Sequence, residues 1–267
     1  MKRTMSSSKI MRTLFAAAAG LLALPASEAR AAMILFHGKD AGPTAGADAS
    51  VLAHLQSMYG ASNVTYMQGS AAAGDGSSAA GHDAVIISST ISSSDCRNKY
   101  EDATQGVMTW EAALAKDDTG DLQMFETHYS GSGHTQIDIV DPTHPLAAGL
   151  SGTVTVTSVA DMMQFGSDGL GGGVDLVASA TSGGYHAILA ADVGDALLGD
   201  GSPGNPSVAA GRRVMFFLHD TTFANLTPDG LKLFDAAVAY AVPEPTSLAL
   251  ILTGLLVARV RRRRMAG

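Results

Sequence analysis

Asp83-Ala84-Val85-Ile86-Ile87-Ser88-Ser89 decides the fold. Its apolar residues run on without alternating, so both faces must be covered, as in a strand inside a parallel sheet. Upstream, Met33-Ile34-Leu35-Phe36 is a second such run, ending at His37-Gly38. Between the two, residues 47–59 place Val51, Leu52, Leu55 and Met58 at helical spacing and stop at Gly60, a C-cap. Residues 63–67 then predict a second strand. Downstream, residues 106–110 predict a fourth, running into a helix over 111–116.

Beyond that point the pattern changes. Residues 153–157, 161–165, 174–179 and 185–190 are short strand-like pieces between Gly and Ser turns, and predict antiparallel additions. The α/β alternation returns at residues 213–219, an apolar strand. A helix follows through Tyr240, with Thr227 as N-cap, Pro228 at its first position and Leu231, Phe234, Val238 and Ala241 as its core stripe. Together these elements predict one α/β domain over residues 32–241, with a mostly parallel sheet covered on both faces.

The two ends have a different character. Lys2, Arg3, Lys9 and Arg12 precede the apolar run of residues 14–24, and small residues follow at Ser27, Ala29, Ala31 and Ala32. This is the pattern of a signal peptide over residues 1–31, cleaved after Ala29 or Ala31. Residues 242–267 begin with Pro243-Glu244-Pro245, continue as an apolar run over 248–258, and close on Arg261, Arg262, Arg263 and Arg264. Counted from Thr246 to Ala258, the run would span about 20 Å as a helix, against about 30 Å of hydrocarbon. Such a helix is a weak permanent anchor, and its arginines should stay on the cytoplasmic side.

This tripartite tail resembles the PEP-CTERM sorting signal of Gram-negative bacteria. The resemblance implies a signal peptidase and an exosortase-type sorting enzyme as partners, and membrane contact that is transient. It also implies a final place in the cell envelope, on the outer surface or secreted, in a setting of exopolysaccharide.

Of the 17 basic residues, five lie in the signal and five in the tail, leaving seven in the domain against 23 acidic residues, a net of −16. So acidic a domain repels nucleic acid and anionic headgroups. Cys96 is the only cysteine, so the fold has no internal disulfide.

Residues 133–150, containing Asp141-Pro142-Thr143-His144-Pro145-Leu146 and Gly149-Leu150, resemble ThuA-like proteins of the class I glutamine amidotransferase-like superfamily. So do the order of the first four strands, with Trp110-Glu111 after the fourth, and the closing strand and helix. The resemblance implies a flavodoxin-like three-layer sandwich.

Ligands of such sheets bind beyond the carboxyl ends of the strands. Those ends supply His37, Gly38, Lys39 and Asp40, then Ser88, Ser89 and Thr90, then Glu111, and finally His219, Asp220 and Thr222. His37, Glu111 and His219 are the candidate catalytic residues. An amidotransferase needs a cysteine on a sharp elbow, and no G-x-C-x-G surrounds Cys96; the residue two after His219 is Thr221, where the superfamily's catalytic Glu would fall. His128, His134, Asp138 and His144 cluster in sequence without any short metal motif, and the Asp/Gly loops at 117–121 and 195–200 depart from the spacing of a calcium loop. No metal and no cofactor is expected. A sugar-binding module has one tryptophan and 6% aromatic residues to draw on. The expectation is an exported module, non-catalytic or with an undefined binding role in the extracellular matrix. Its rival is an exported hydrolase or sugar-modifying enzyme using the strand-end pocket.

Overall fold

The computed structural model describes residues 31–43 and 46–243. The expected signal peptide, and the sorting tail from Glu244 on with Arg261 to Arg264, lie outside the described residues. Among the described residues no helix is long and apolar enough to cross a membrane.

In chain order the elements are β1 (Ile34–Gly38), α1 (Ala47–Tyr59), β2 (Val64–Gln68), β3 (Ala84–Ile87), α2 (Ser93–Cys96), β4 (Gly106–Thr109) and α3 (Ala112–Ala115). There follow β5 (Phe125–His134), β6 (Gln136–Ile139), β7 (Gly152–Thr155), β8 (Asp161–Leu170), β9 (Asp175–Ala180), β10 (His186–Ala191), β11 (Arg213–Phe216) and α4 (Pro228–Ala241). The strands form one mixed sheet in the order β2-β1-β3-β4-β11-β10-β9-β6-β7. From β2 to β11 every pairing is parallel, and from β11 to β7 every pairing is antiparallel. A ribbon of β5 and β8 branches off, attached to β10 where Gly166 meets His186.

Strand alternation builds the layers. Ile34, Phe36, Ala84, Ile86, Met108, Val214 and Phe216 face one core, closed by Val51 and Leu55 of α1 and by Leu233, Phe234, Ala237 and Val238 of α4. Leu35, Val85, Ile87, Val107 and Met215 face the other, closed by Cys96 of α2 and by Ala112, Leu114 and Ala115 of α3. The result is the expected three-layer sandwich with antiparallel additions. His54 on α1 and Asp235 on α4, 2.6 Å apart, join the two helices of the first layer.

Two local expectations change. The stripe of α4 turns on Leu233 and Ala237 as well as Phe234, Val238 and Ala241, while Leu231 is only half-buried, because this helix packs a broad face. Its cap is as expected: the Thr227 hydroxyl accepts from Gly230 N–H at 3.0 Å. The second change is β5, which residue pattern did not reveal. Most of Phe125–His134 is exposed, so no apolar periodicity marks it as a strand. The last turn of α4 lies directly on Gly106 of β4, where a Cβ would collide with the Ala241 carbonyl.

Arg213 opens β11 and is fully buried. Its guanidinium donates to the carbonyls of Glu101, Ala103, Gln105 and Arg212 at 2.7–3.1 Å, so the cation tacks down the loop after Tyr100. Burial lowers its pKa to about 10, which leaves it charged at neutral pH.

Candidate functional site

The parallel half has the strand order 2-1-3-4 followed by β11, so the order in which strands are added reverses between β1 and β3. Crevices at such switch points hold ligands in open α/β sheets. Here the crevice holds the chain's own carboxylate. Asp48, in the first turn of α1, accepts from Ser88 Oγ at 2.7 Å, Thr90 Oγ1 at 2.6 Å and Lys39 N–H at 3.2 Å. Gly38 is required beneath it, since a Cβ there would run into the Asp48 carboxylate and the Tyr66 hydroxyl. Tyr66 in turn donates to the Asp40 carbonyl at 2.8 Å. The donors an anionic ligand would use are therefore already taken.

A second polar group sits over β3, β4 and β11. Ser89 Oγ donates to Asp220 Oδ1 at 2.8 Å, and His219 Nδ1 is 3.9 Å from the same oxygen. Glu111 lies within electrostatic reach of Asp220. Gln164 of β8 is buried beside it, accepting from Ala112 N–H at 3.2 Å and directing its amide NH2 at Glu111 Oε2, 3.5 Å away. Burial raises the Glu111 pKa to about 7; the Gln164 contact opposes the rise and the Asp220 charge adds to it. Thr222, fully buried, accepts from His219 N–H and donates to the Met162 carbonyl, fixing this corner.

His37 is not part of the rim, and its candidacy is corrected. It is still inside β1, paired with Met67 and Ile87, and shares the face of Leu35. Its side chain is fully buried in the second core. Nδ1 is 3.2 Å from the Met67 carbonyl, which can only accept, so Nδ1 carries the proton and Nε2 accepts from the Tyr100 hydroxyl at 2.6 Å. Burial lowers its pKa to about 4, with the Met67 bond opposing the fall.

Of the three candidates the structure therefore brings Glu111 and His219 to one rim and withdraws His37. Two residues of the site escaped notice in the sequence. Asp48 had a signal: Asp48, Val51 and Leu55 share one buried helical stripe, where an acid is out of place. Gln164 had none, because β8 is covered on both faces at residues 163–166.

The other clusters serve the fold. Cys96 is buried and its thiol is pushed up to about 12, so it is no thiolate nucleophile. Asp138 accepts from Thr153 Oγ1, while His144 Nδ1 accepts from Leu146 N–H. Among the described residues no group of three or more His, Cys, Asp or Glu stands ready for a metal. In the loop after α3, Arg97 grips the buried Asp121 with two bonds of 3.0–3.1 Å, and Asp118 takes Lys116.

Glu111 predicts a pH effect. Its carboxyl keeps its proton in the folded state between its ordinary pKa of 4.5 and about 7, so ionisation penalises folding as pH rises through that window. Glu111→Gln should melt higher than the wild type at pH 8 and alike at pH 4.5. Equal melting temperatures at pH 8 would contradict the buried-carboxyl description.

A parallel half in this order, an antiparallel extension and a strand-end rim define a ThuA-like α/β fold. A protein from Bacteroides uniformis described as ThuA-like has a similar crystal structure, with a TM-score of 0.53 over 84% of this chain and 97% of that one, at 12% identity. No family model matches the sequence, and no curated protein does. The likeness establishes the fold alone.

Proposed function

We propose that the protein is exported, is sorted to the cell surface by the segment beginning at Pro243, and presents its α/β domain there as a binding module. Asp48 carries the domain's part of this reading. The switch-point crevice, where this fold offers donors to a ligand, is satisfied from within. The sorting part is supported by the tripartite order of the tail and by where α4 ends in the chain. Val242 N–H caps α4 by donating to the Val238 carbonyl at 3.1 Å, and the Pro-Glu-Pro motif starts at the next residue.

Replacing Pro243, Glu244 and Pro245 by alanine should leave an unprocessed, membrane-retained precursor in a host with an exosortase-type enzyme. Intact mass of the wild-type mature protein should lack Arg261 to Arg264. A mature wild-type chain that retains them sinks the sorting reading.

A second reading is favoured by Glu111. A carboxyl with a pKa of about 7, held by Gln164 near Asp220, suits general acid–base chemistry at neutral pH, as in an exported hydrolase or sugar-modifying enzyme. A turnover abolished by Glu111→Gln or His219→Ala in a folded protein would replace the binding-module reading with this one.

A further inference from the structure

The β5–β8 ribbon carries a row of rings across three neighbouring strands. Tyr129 of β5 pairs with Phe165 of β8, and Tyr185 lies one residue before β10, whose His186 pairs with Gly166. Tyr129 and Tyr185 stack with centroids 4.3 Å apart and planes 9° apart. Phe165 is fully buried, with its ring 6.4 Å from Tyr129 and 6.0 Å from Tyr185, so the pair is braced by the core. Tyr129 nonetheless remains 40% exposed. Neither tyrosine hydroxyl has a hydrogen-bond partner among the described residues.

We infer that the Tyr129–Tyr185 stack is a binding platform for the ring face of a neutral sugar. The inference rests on reading the domain as a binding module, and names the ligand class and the place. Charge selects the ligand. Within a domain of net charge −16, residues 127–137 and 176–191 contain no Asp, Glu, Lys or Arg. An anionic polymer would meet the repulsion of the whole domain, and a cationic one would find no carboxylate in these two segments. A pyranose presents C–H groups to an aromatic face and hydroxyls at its rim, and the exposed Thr127, two residues from Tyr129 on the same face of β5, supplies a matching hydroxyl. The competing occupant is a peptide strand added to the free edge of β5. A bulge between Gly131 and His134 interrupts that edge at one end and the bridge from Lys116 to Phe125 occupies the other, which disfavours regular pairing.

The test is affinity electrophoresis of the purified full chain in mild detergent. Gels carry a soluble neutral glucan or galactomannan, with polygalacturonate as the acidic control. The neutral polymers should retard the wild type and polygalacturonate should not. Tyr129→Ala and Tyr185→Ala should weaken binding about tenfold through the loss of ring contact area, and Tyr129→Phe should retain it. Near-ultraviolet circular dichroism checks that each variant is folded. The proposal is overturned if neither neutral polymer retards the wild type, if Tyr129→Ala is retarded equally, or if the acidic polymer acts as strongly. Self-association that Tyr129→Ala abolishes, with no dependence on polysaccharide, overturns it in favour of a protein interface. Turnover of the polymers that Glu111→Gln abolishes would instead count against the binding-module reading, and tail processing is scored separately by intact mass.

Discussion

Arg213→Met should lower stability by about 4 kcal/mol, the largest single effect expected here, and the melting temperature by about 10 °C for a domain of this size. The side chain's stem sits in the second core, so methionine fills most of the same space. What disappears is the cation's set of bonds to the carbonyls of Glu101, Ala103, Gln105 and Arg212. The Arg212 carbonyl keeps Val107 N–H at 2.8 Å, but the carbonyls of Glu101, Ala103 and Gln105 lose this donor, and each such loss at a buried acceptor costs about 1–3 kcal/mol before relaxation. Buried ion pairs can be exchanged for apolar groups without loss, but only when both partners go together. Here the partners are backbone and cannot be removed. Arg213→Lys should fall between the two, because a point charge with three donors cannot reproduce the fork. Chemical denaturation of the three proteins measures this, and a methionine variant with an unchanged midpoint would refute the role given to Arg213.

The second large effect is acid lability set by His37. Its pKa lies near 4 in the folded state against an ordinary 6.5, because burial disfavours the cation. A depressed value means that the unfolded chain binds the extra proton first. The stabilising contribution is complete above about pH 6.5 and is lost as pH falls through about 4. A difference of about 2.5 pKa units corresponds to about 3 kcal/mol. Glu111 and Asp121, both raised by burial, act in the opposite direction, so the wild-type profile alone would not isolate the histidine. His37→Gln does. At pH 7 the variant should be less stable, since the bonds to Tyr100 and Met67 are remade imperfectly. Between pH 7 and 4.5 it should lose less stability than the wild type. Parallel losses in urea titrations at the two pH values would show that His37 does not charge on unfolding.

Both effects meet in the same loop. Tyr100 holds His37 and Arg213 holds the residues after Tyr100, so one buried chain of contacts fixes the segment between β3 and β4. The Arg213 contacts lie where the chain enters β4 and β11, at the end of the parallel strands opposite Ser89 and Glu111.

The apolar runs at residues 34–36 and 84–87 specify buried strands, since no other element covers both faces of so short a run. The helices α1 and α4 were readable from spacing and caps, and the charge of −16 from counting. The ends, with the expected signal and the Pro-Glu-Pro tail, are likewise a matter of sequence, because their information lies in local order and needs no partner.

Tertiary structure decided the rest. It withdrew His37 from the rim, because a residue at the end of an apolar run is placed by strand register, and pairing with Met67 and Ile87 keeps it one step inside. It filled the switch-point crevice with Asp48, whose hydrogen bonds to Ser88, Thr90 and Lys39 join residues some 40 positions and nine positions away in the chain. It also revealed β5 and the stacked tyrosines, which share no sequence neighbourhood and meet only because β5, β8 and β10 lie side by side. Local order is written in the chain; a meeting of distant side chains exists only once the sheet has formed.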